Sequence, residues 1–110
     1  MTASFIAMAV LGLTQAGAPI INVDAKDRDS ISGERKFKVT VESSSPITQV
    51  EFYIGSDLKD TDTSTPYEFK IDTLEEQDGE LKVTFAAYTS DGKSTKKALN
   101  LNVDNGVSKG

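Results

Sequence analysis

Gly79-Glu-Leu-Lys-Val-Thr-Phe-Ala-Ala-Tyr88 is the stretch whose reading decides the fold. Leu81, Val83, Phe85 and Ala87 fall on one side of an extended chain, and Lys82, Thr84, Ala86 and Tyr88 on the other. Side chains of a strand alternate between two faces, so this pattern predicts a strand with one buried side. Asp78-Gly79 opens the stretch and Asp91-Gly92 closes it, both turn dipeptides. The spacing predicts a central strand against which shorter strands pack.

The same period recurs on both sides of it. Phe37, Val39 and Val41 alternate with Lys36, Lys38, Thr40 and Glu42; Val50, Phe52 and Ile54 alternate with Gln49, Glu51 and Tyr53. Tyr67, Phe69 and Ile71 alternate with Glu68, Lys70 and Asp72, and Leu99, Leu101 and Val103 mark a last strand over Ala98–Val103. Pro19–Val23 reads as a short first strand, and the polar, Thr-rich Leu58–Thr63 as a weak edge strand. Lys59, Asp60 and Asp62 suit such an edge, because charge discourages pairing with another chain. Asp24–Glu34, Ser43–Pro46, Gly55–Asp57 and Thr73–Asp78 read as connections, the last long enough for one helical turn. Gly33 stands just before a strand, where a positive φ is cheap for glycine. Strands that count about seven, separated by turn signals and without a long amphipathic helix, predict an all-β, two-sheet antiparallel sandwich.

Three segments follow. Residues 1–18 differ from the rest: Phe5–Leu13 is an unbroken apolar run, and no charge occurs before Asp24. Nine residues are too few to cross a bilayer as a helix, which takes about 20. The run suits the core of a secretory signal, with Ala16-Gly17-Ala18 as a small-residue cleavage site, although a basic start is missing. A segment packing on the domain, or the end of an upstream domain, fits the same residues. Residues 19–105 form the expected sandwich, and 106–110 a frayed tail or linker.

Composition excludes much chemistry. The chain of 110 residues has no Cys, His or Trp and a net charge of −5. Disulfides, thiolate nucleophiles and Cys ligands are ruled out, along with the commonest general base and zinc ligand. An acidic balance argues against a phosphate-tracking nucleic-acid surface and against a polybasic membrane contact. Asp24, Asp27 and Asp29 carry oxygens of the kind calcium takes, but without the Asp-x-Asp-x-Asp-Gly spacing and distant Glu of a calcium loop; they read as a solvated connection. Asp57, Asp60 and Asp62 read as edge protection. Glu75, Glu76, Asp78 and Glu80 cluster beside a turn, without the cleft that paired-carboxylate catalysis needs. Lys93, Lys96 and Lys97 lack interleaved aromatics and read as a solvated hairpin. Tyr67 shares parity with Phe69 and Ile71, so it reads as core or as a corner tyrosine. Tyr53 and Tyr88 point outward by parity and can share one exposed face. No catalytic, cofactor-binding or metal residue is assigned, and no cofactor is expected.

Gly33, Phe37-x-Val39-x-Val41 and Val50-Glu-Phe52-Tyr-Ile54-Gly55 resemble the early strands of bacterial immunoglobulin-like domains. Thr65-Pro66-Tyr67-Glu-Phe69, Asp72-Thr73, Asp78-Gly79-Glu-Leu81, Ala87-Tyr-Thr-Ser-Asp91-Gly92 and Val103-Asp-Asn105 continue the pattern, over about residues 19–105. Two positions depart from it: Glu80 stands where the family often has His, and the last hairpin is contracted to Asp91-Gly92. The resemblance implies an immunoglobulin-like sandwich outside the cytoplasm, as one module of a cell-surface protein or an appendage of a secreted hydrolase. It carries no common catalytic residues. The expected function is a non-catalytic spacer or interaction domain whose partners are neighbouring domains or a cell-surface protein. The alternative is a carbohydrate- or protein-binding accessory module acting through Tyr53, Tyr88 or a sheet edge. Nucleic acid and membrane insertion of the mature domain are not expected.

Overall fold

In the computed structural model, which describes residues 17–105, the alternation becomes eight strands. They are β1 (Ile20–Val23), β2 (Ser30–Ile31), β3 (Glu34–Glu42), β4 (Ile47–Ile54), β5 (Asp57–Asp62), β6 (Tyr67–Asp72), β7 (Gly79–Thr89) and β8 (Ser94–Val103). A 3₁₀ turn, Thr73–Glu75, follows β6. One sheet has the order β1-β3-β6 and the other β2-β8-β7-β4-β5. The stretch quoted first is therefore the middle strand of the larger sheet. The readings of Met1–Ala18 and of residues 106–110 fall outside the described residues, except for Gly17 and Ala18.

The two sheets meet through four phenylalanines. Phe37 and Phe69 are cross-strand partners in the smaller sheet, and Phe52 and Phe85 in the larger. Ring centroids lie 5.4 Å apart for Phe52–Phe69, 5.3 Å for Phe52–Phe85, 5.6 Å for Phe37–Phe85 and 5.8 Å for Phe37–Phe52. All four are buried, with Val50, Val83, Leu101 and Val103 around them. Burying one such side chain contributes about 1.5–3 kcal/mol, and offset or edge-to-face ring pairs add about 0.5–1.5 kcal/mol each. Tyr67 joins this core. The guanidinium of Arg35, on the inward parity of β3, lies 4.8 Å from the Phe37 ring centroid.

Four expectations need correction. Asp24–Glu34 is not a plain connection, because Ser30–Ile31 pairs with β8 in parallel, so the sandwich is not wholly antiparallel. Two residues are too few to display alternation. What selects this strand is distant: Arg28 N donates to Asn100 O (2.7 Å) and Asn102 N to Asp29 O (2.8 Å), while Ile31 is buried. Strands also start earlier than expected: β3 at Glu34 rather than Lys36, β4 at Ile47 rather than Gln49, and β8 at Ser94 rather than Ala98. The inward positions at the starts of β3 and β8 carry Arg35, Thr95 and Lys97 rather than apolar residues, and Ile47, which packs against the core, is set off from the alternation of β4 by a register shift before Gln49. Ala86, outward by parity, is fully buried. Leu81, read as inward, is only partly buried at the margin of the core.

The chain enters and leaves at opposite ends of the sandwich. Ile20 pairs with Glu42, the last residue of β3, beside the loop whose Pro46 O accepts from Ser90 N of the β7–β8 hairpin (2.9 Å). Gly17 lies against the Lys93 side chain in that hairpin. Val103 pairs with Gly79 at the far end. There Gly33, at φ 59, takes a backbone shape that costs L-residues, and its N–H donates to Asn105 Oδ1 (2.9 Å). Its carbonyl accepts from Thr73 N (2.9 Å) and Thr73 Oγ1 (2.7 Å), and Asn105 Nδ2 donates to Thr73 O (3.1 Å). Asp72 Oδ1 caps the 3₁₀ turn by accepting from Leu74 N (3.0 Å). The Asp72-Thr73 pair noted in the sequence thus ties the start of β3 to the residue after β8.

Truncating Phe52 to Ala removes a ring that touches Phe37, Phe69 and Phe85. Urea unfolding should register a loss of about 3–5 kcal/mol, the usual range for a buried Phe. A loss below about 1 kcal/mol, typical of a surface change, contradicts this packing.

Candidate binding face

Because Val50, Phe52 and Ile54 face inward, Gln49, Glu51 and Tyr53 face outward from β4. Register with β7 sets Gln49 opposite Tyr88, Glu51 opposite Ala86, and Tyr53 opposite Thr84. Tyr53 Oη donates to Glu51 Oε1 at 2.7 Å, and Tyr88 Oη donates to the same oxygen at 2.9 Å. Gln49 Nε2 donates to Glu51 Oε2 at 2.8 Å. Two phenols and an amide therefore converge on one carboxylate over the methyl of Ala86. That cover explains why a residue outward by parity is buried.

The hydrogen bonds set the charges. The Tyr53 hydroxyl, more than any other neighbour, holds the Glu51 carboxyl below its ordinary value, with Tyr88, Gln49 and the Lys96 charge acting the same way against partial burial. In return Glu51 pushes the Tyr53 phenol up to about 12, and it raises Tyr88 as well. Both rings stay neutral and are held at their tips, which leaves stacking and hydrogen bonding as their chemistry.

Small residues beside Tyr53 leave a depression. Gly55 is at φ 61 in the tight β4–β5 turn, a conformation that favours glycine. With Ser56, Thr84 and Ala98 it lines a hollow of about 420 Å³, flanked by Lys82 and Lys96.

The remaining expected residues are dispersed. Asp24 Oδ1 accepts from Lys38 N (3.0 Å), Asp27 Oδ1 from Asn100 N (2.7 Å) and Asp29 Oδ2 from Lys26 N (2.8 Å), so the three carboxylates serve three separate backbone amides. On edge strand β5, Asp60 Oδ1 accepts from Thr61 N, and Asp62 accepts from Ser64 N and from Glu68 N of β6. Asp78 Oδ1 accepts from Asn105 N (3.2 Å). Lys93 pairs with Asp91, whose carboxyl is pulled down to about 2, foremost by the Thr89 hydroxyl and then by Ser45 and Lys93. Lys96 and Lys97 take opposite parity on β8, so the three lysines do not form one patch. Sequence reasoning paired Tyr53 with Tyr88 but missed Glu51 between them. Its outward parity was readable; the β4–β7 register that sets Tyr88 across from it was not.

The family model of the bacterial Ig domain matches residues 14–95. The chain belongs to that family. Among solved structures, this bacterial Ig domain is similar to the fibronectin(III)-like modules of Clostridium thermocellum CbhA, at 28% identity and TM-score 0.62 over 76% of this chain and 94% of that one. It also matches the endo-beta-1,4-mannanase of Thermotoga petrophila, at 17% identity and TM-score 0.64, over 84% of this chain and 20% of that one. A lytic polysaccharide monooxygenase of Jonesia denitrificans matches at 10% identity and TM-score 0.55, over 70% of this chain and 58% of that one. The last two likenesses are of fold alone. No curated protein matches the chain.

A difference titration of tyrosine absorbance against Tyr53→Phe should find Tyr53 ionising near pH 12, against an ordinary value near 10. The folded state favours the neutral phenol, so this contribution is complete below pH 10 and fades as pH rises through about 12. Glu51 runs the other way: its contribution is present above its ordinary carboxyl value and fades as pH falls through the lowered one. Glu51→Gln should return the Tyr53 midpoint toward 10; an unchanged midpoint contradicts the network.

Proposed function

We propose that the chain is a non-catalytic extracellular module that spaces neighbouring domains of a cell-surface or secreted protein. The observation that carries this reading is the placement of its two ends. The segment before β1 and the segment after β8 leave from opposite poles, separated by the ten residues of β8, about 30 Å at the rise of an extended strand. Each pole is tied down, one by the contacts of Pro46 and Ser90, the other by Gly33, Thr73 and Asn105. A body gripped at both poles transmits position between whatever is joined to it.

Membership in the bacterial Ig family supports the reading, as does similarity to fibronectin(III)-like modules. So does the match to one fifth of the mannanase chain, a case of this fold within a larger enzyme. No helix among the described residues is long and apolar enough to cross a membrane. In this reading residues 19–105 are the module, and its partners are the adjoining domains.

The test is deletion of residues 19–105 from the protein that carries them. The spacer reading expects altered reach or lower stability of the parent, with the turnover of any neighbouring catalytic domain on a small soluble substrate unchanged. Loss of that turnover, with the neighbouring domain still folded, contradicts it.

A further inference from the structure

A second hollow lies farther along β8 from the one beside Tyr53. The second, about 360 Å³, is lined by Arg28, Ser30, Glu80, Asn100, Leu101 and Asn102. Lys82 of β7 lines the first and its cross-strand partner Asn100 of β8 lines the second, so the two are neighbours in one trough along β8. From Lys96 to Asn102 this trough follows six steps of β8, about 20 Å at the rise of an extended strand. Thr84 and Ala98, a cross-strand pair of short side chains, line the hollow beside Tyr53.

Charge in the trough runs against that of the molecule. The chain carries a net −5, yet Lys82, Lys96 and Arg28 all line these hollows. The ion pairs among the described residues use Arg35, Lys36 and Lys93, not these three. Three carboxylates are near. Asp27 Oδ1 accepts from Asn100 N beside the second hollow. Glu51 is engaged by both tyrosine hydroxyls, with Lys96 within its electrostatic reach, and Glu80 lines the second hollow with Arg28. Arg28 is held there at φ 74, with its N–H bonded to Asn100 O. Clustered cations with low-dielectric walls concentrate an anionic ligand.

The neutral groups narrow the choice. Tyr53 offers a ring fastened at its hydroxyl, so little freedom is lost when a ligand stacks on it. Asn100 and Asn102 offer amide donors and acceptors of the kind that match hydroxyls. A single-stranded nucleic acid wants successive aromatics, and this trough holds one ring. A peptide strand wants a free sheet edge, and beside the second hollow the edge of β8 from Asn100 to Val103 is already taken by Ser30–Ile31 and the bonds of Asp27, Arg28 and Asp29. We infer that the trough binds an acidic polysaccharide, with a sugar ring on Tyr53, uronate carboxylates at Lys82 and Lys96, and hydroxyls at Asn100 and Asn102. This goes beyond the spacing role, which stands or falls separately by the deletion of residues 19–105.

The test titrates the full chain calorimetrically with polygalacturonate at low salt, with a neutral mannan and single-stranded DNA as comparisons. The expected result is binding of polygalacturonate that weakens with added salt, and none of mannan. Lys82→Gln combined with Lys96→Gln should weaken it by about tenfold, as loss of two charge contacts predicts. Arg28→Gly, which accepts the positive φ, should weaken it further. Tyr53→Ala should also lose affinity, and Tyr53→Phe, which keeps the ring but not the bond that fastens it, should lose less; both lysines are exposed, so their variants remain folded if Tyr53→Ala does not. No binding at millimolar uronate, equal binding of mannan or DNA, or unchanged affinity in the lysine variant overturns the inference.

Discussion

Phe52 and Phe85 stand in register on neighbouring strands, and their rings meet those of Phe37 and Phe69 from the opposite sheet. That contact holds two amphipathic sheets together and also decides what the outer surface looks like. A strand shifted by one residue turns every side chain to the other face. With Phe52 pinned inward against Phe85, Glu51 and Tyr53 are forced outward, and Glu51 comes to lie across from Ala86. The tyrosine–carboxylate cluster and the hollow beside it are therefore consequences of the core.

Much of the fold was legible because the core writes itself into the chain as alternation. Phe37, Phe52, Phe69 and Phe85 each sit in a run of period two, and each is buried. Tyr67 followed the parity of Phe69 into the core, and the short turn after Asp72 formed where the pattern stops. What escaped is what no local pattern encodes. Ser30–Ile31 became a strand because the preceding loop is hydrogen-bonded onto β8, some seventy positions away in the chain. The early residues of β8 pair with β7 beside Phe85 and Ala87, but their own inward positions hold Thr95 and Lys97, so no apolar alternation marks them.

The outer face was legible in parity and illegible in register. Tyr53 and Tyr88 could be assigned to one side from the sequence. That both reach the same oxygen of Glu51 depends on which residue of β4 lies beside which of β7. The carboxylates tell a similar story. Asp24, Asp27 and Asp29 form an acidic run in the sequence, and in space each accepts from a different backbone amide. The chain's acidity is in this part structural, while Lys82, Lys96 and Arg28 are gathered along the hollows on the outer face of β7 and β8.

The account depends most on the two sheets being held face to face by those rings. Phe37 and Phe85 come from different sheets and meet edge to face, with interplanar angle 73°. A double-mutant cycle of Phe37→Leu and Phe85→Leu, read by denaturant unfolding, isolates the link between them. The packing described here predicts a coupling of about 0.5–1.5 kcal/mol. Losses that simply add would contradict it, because residues without a shared contact do not couple.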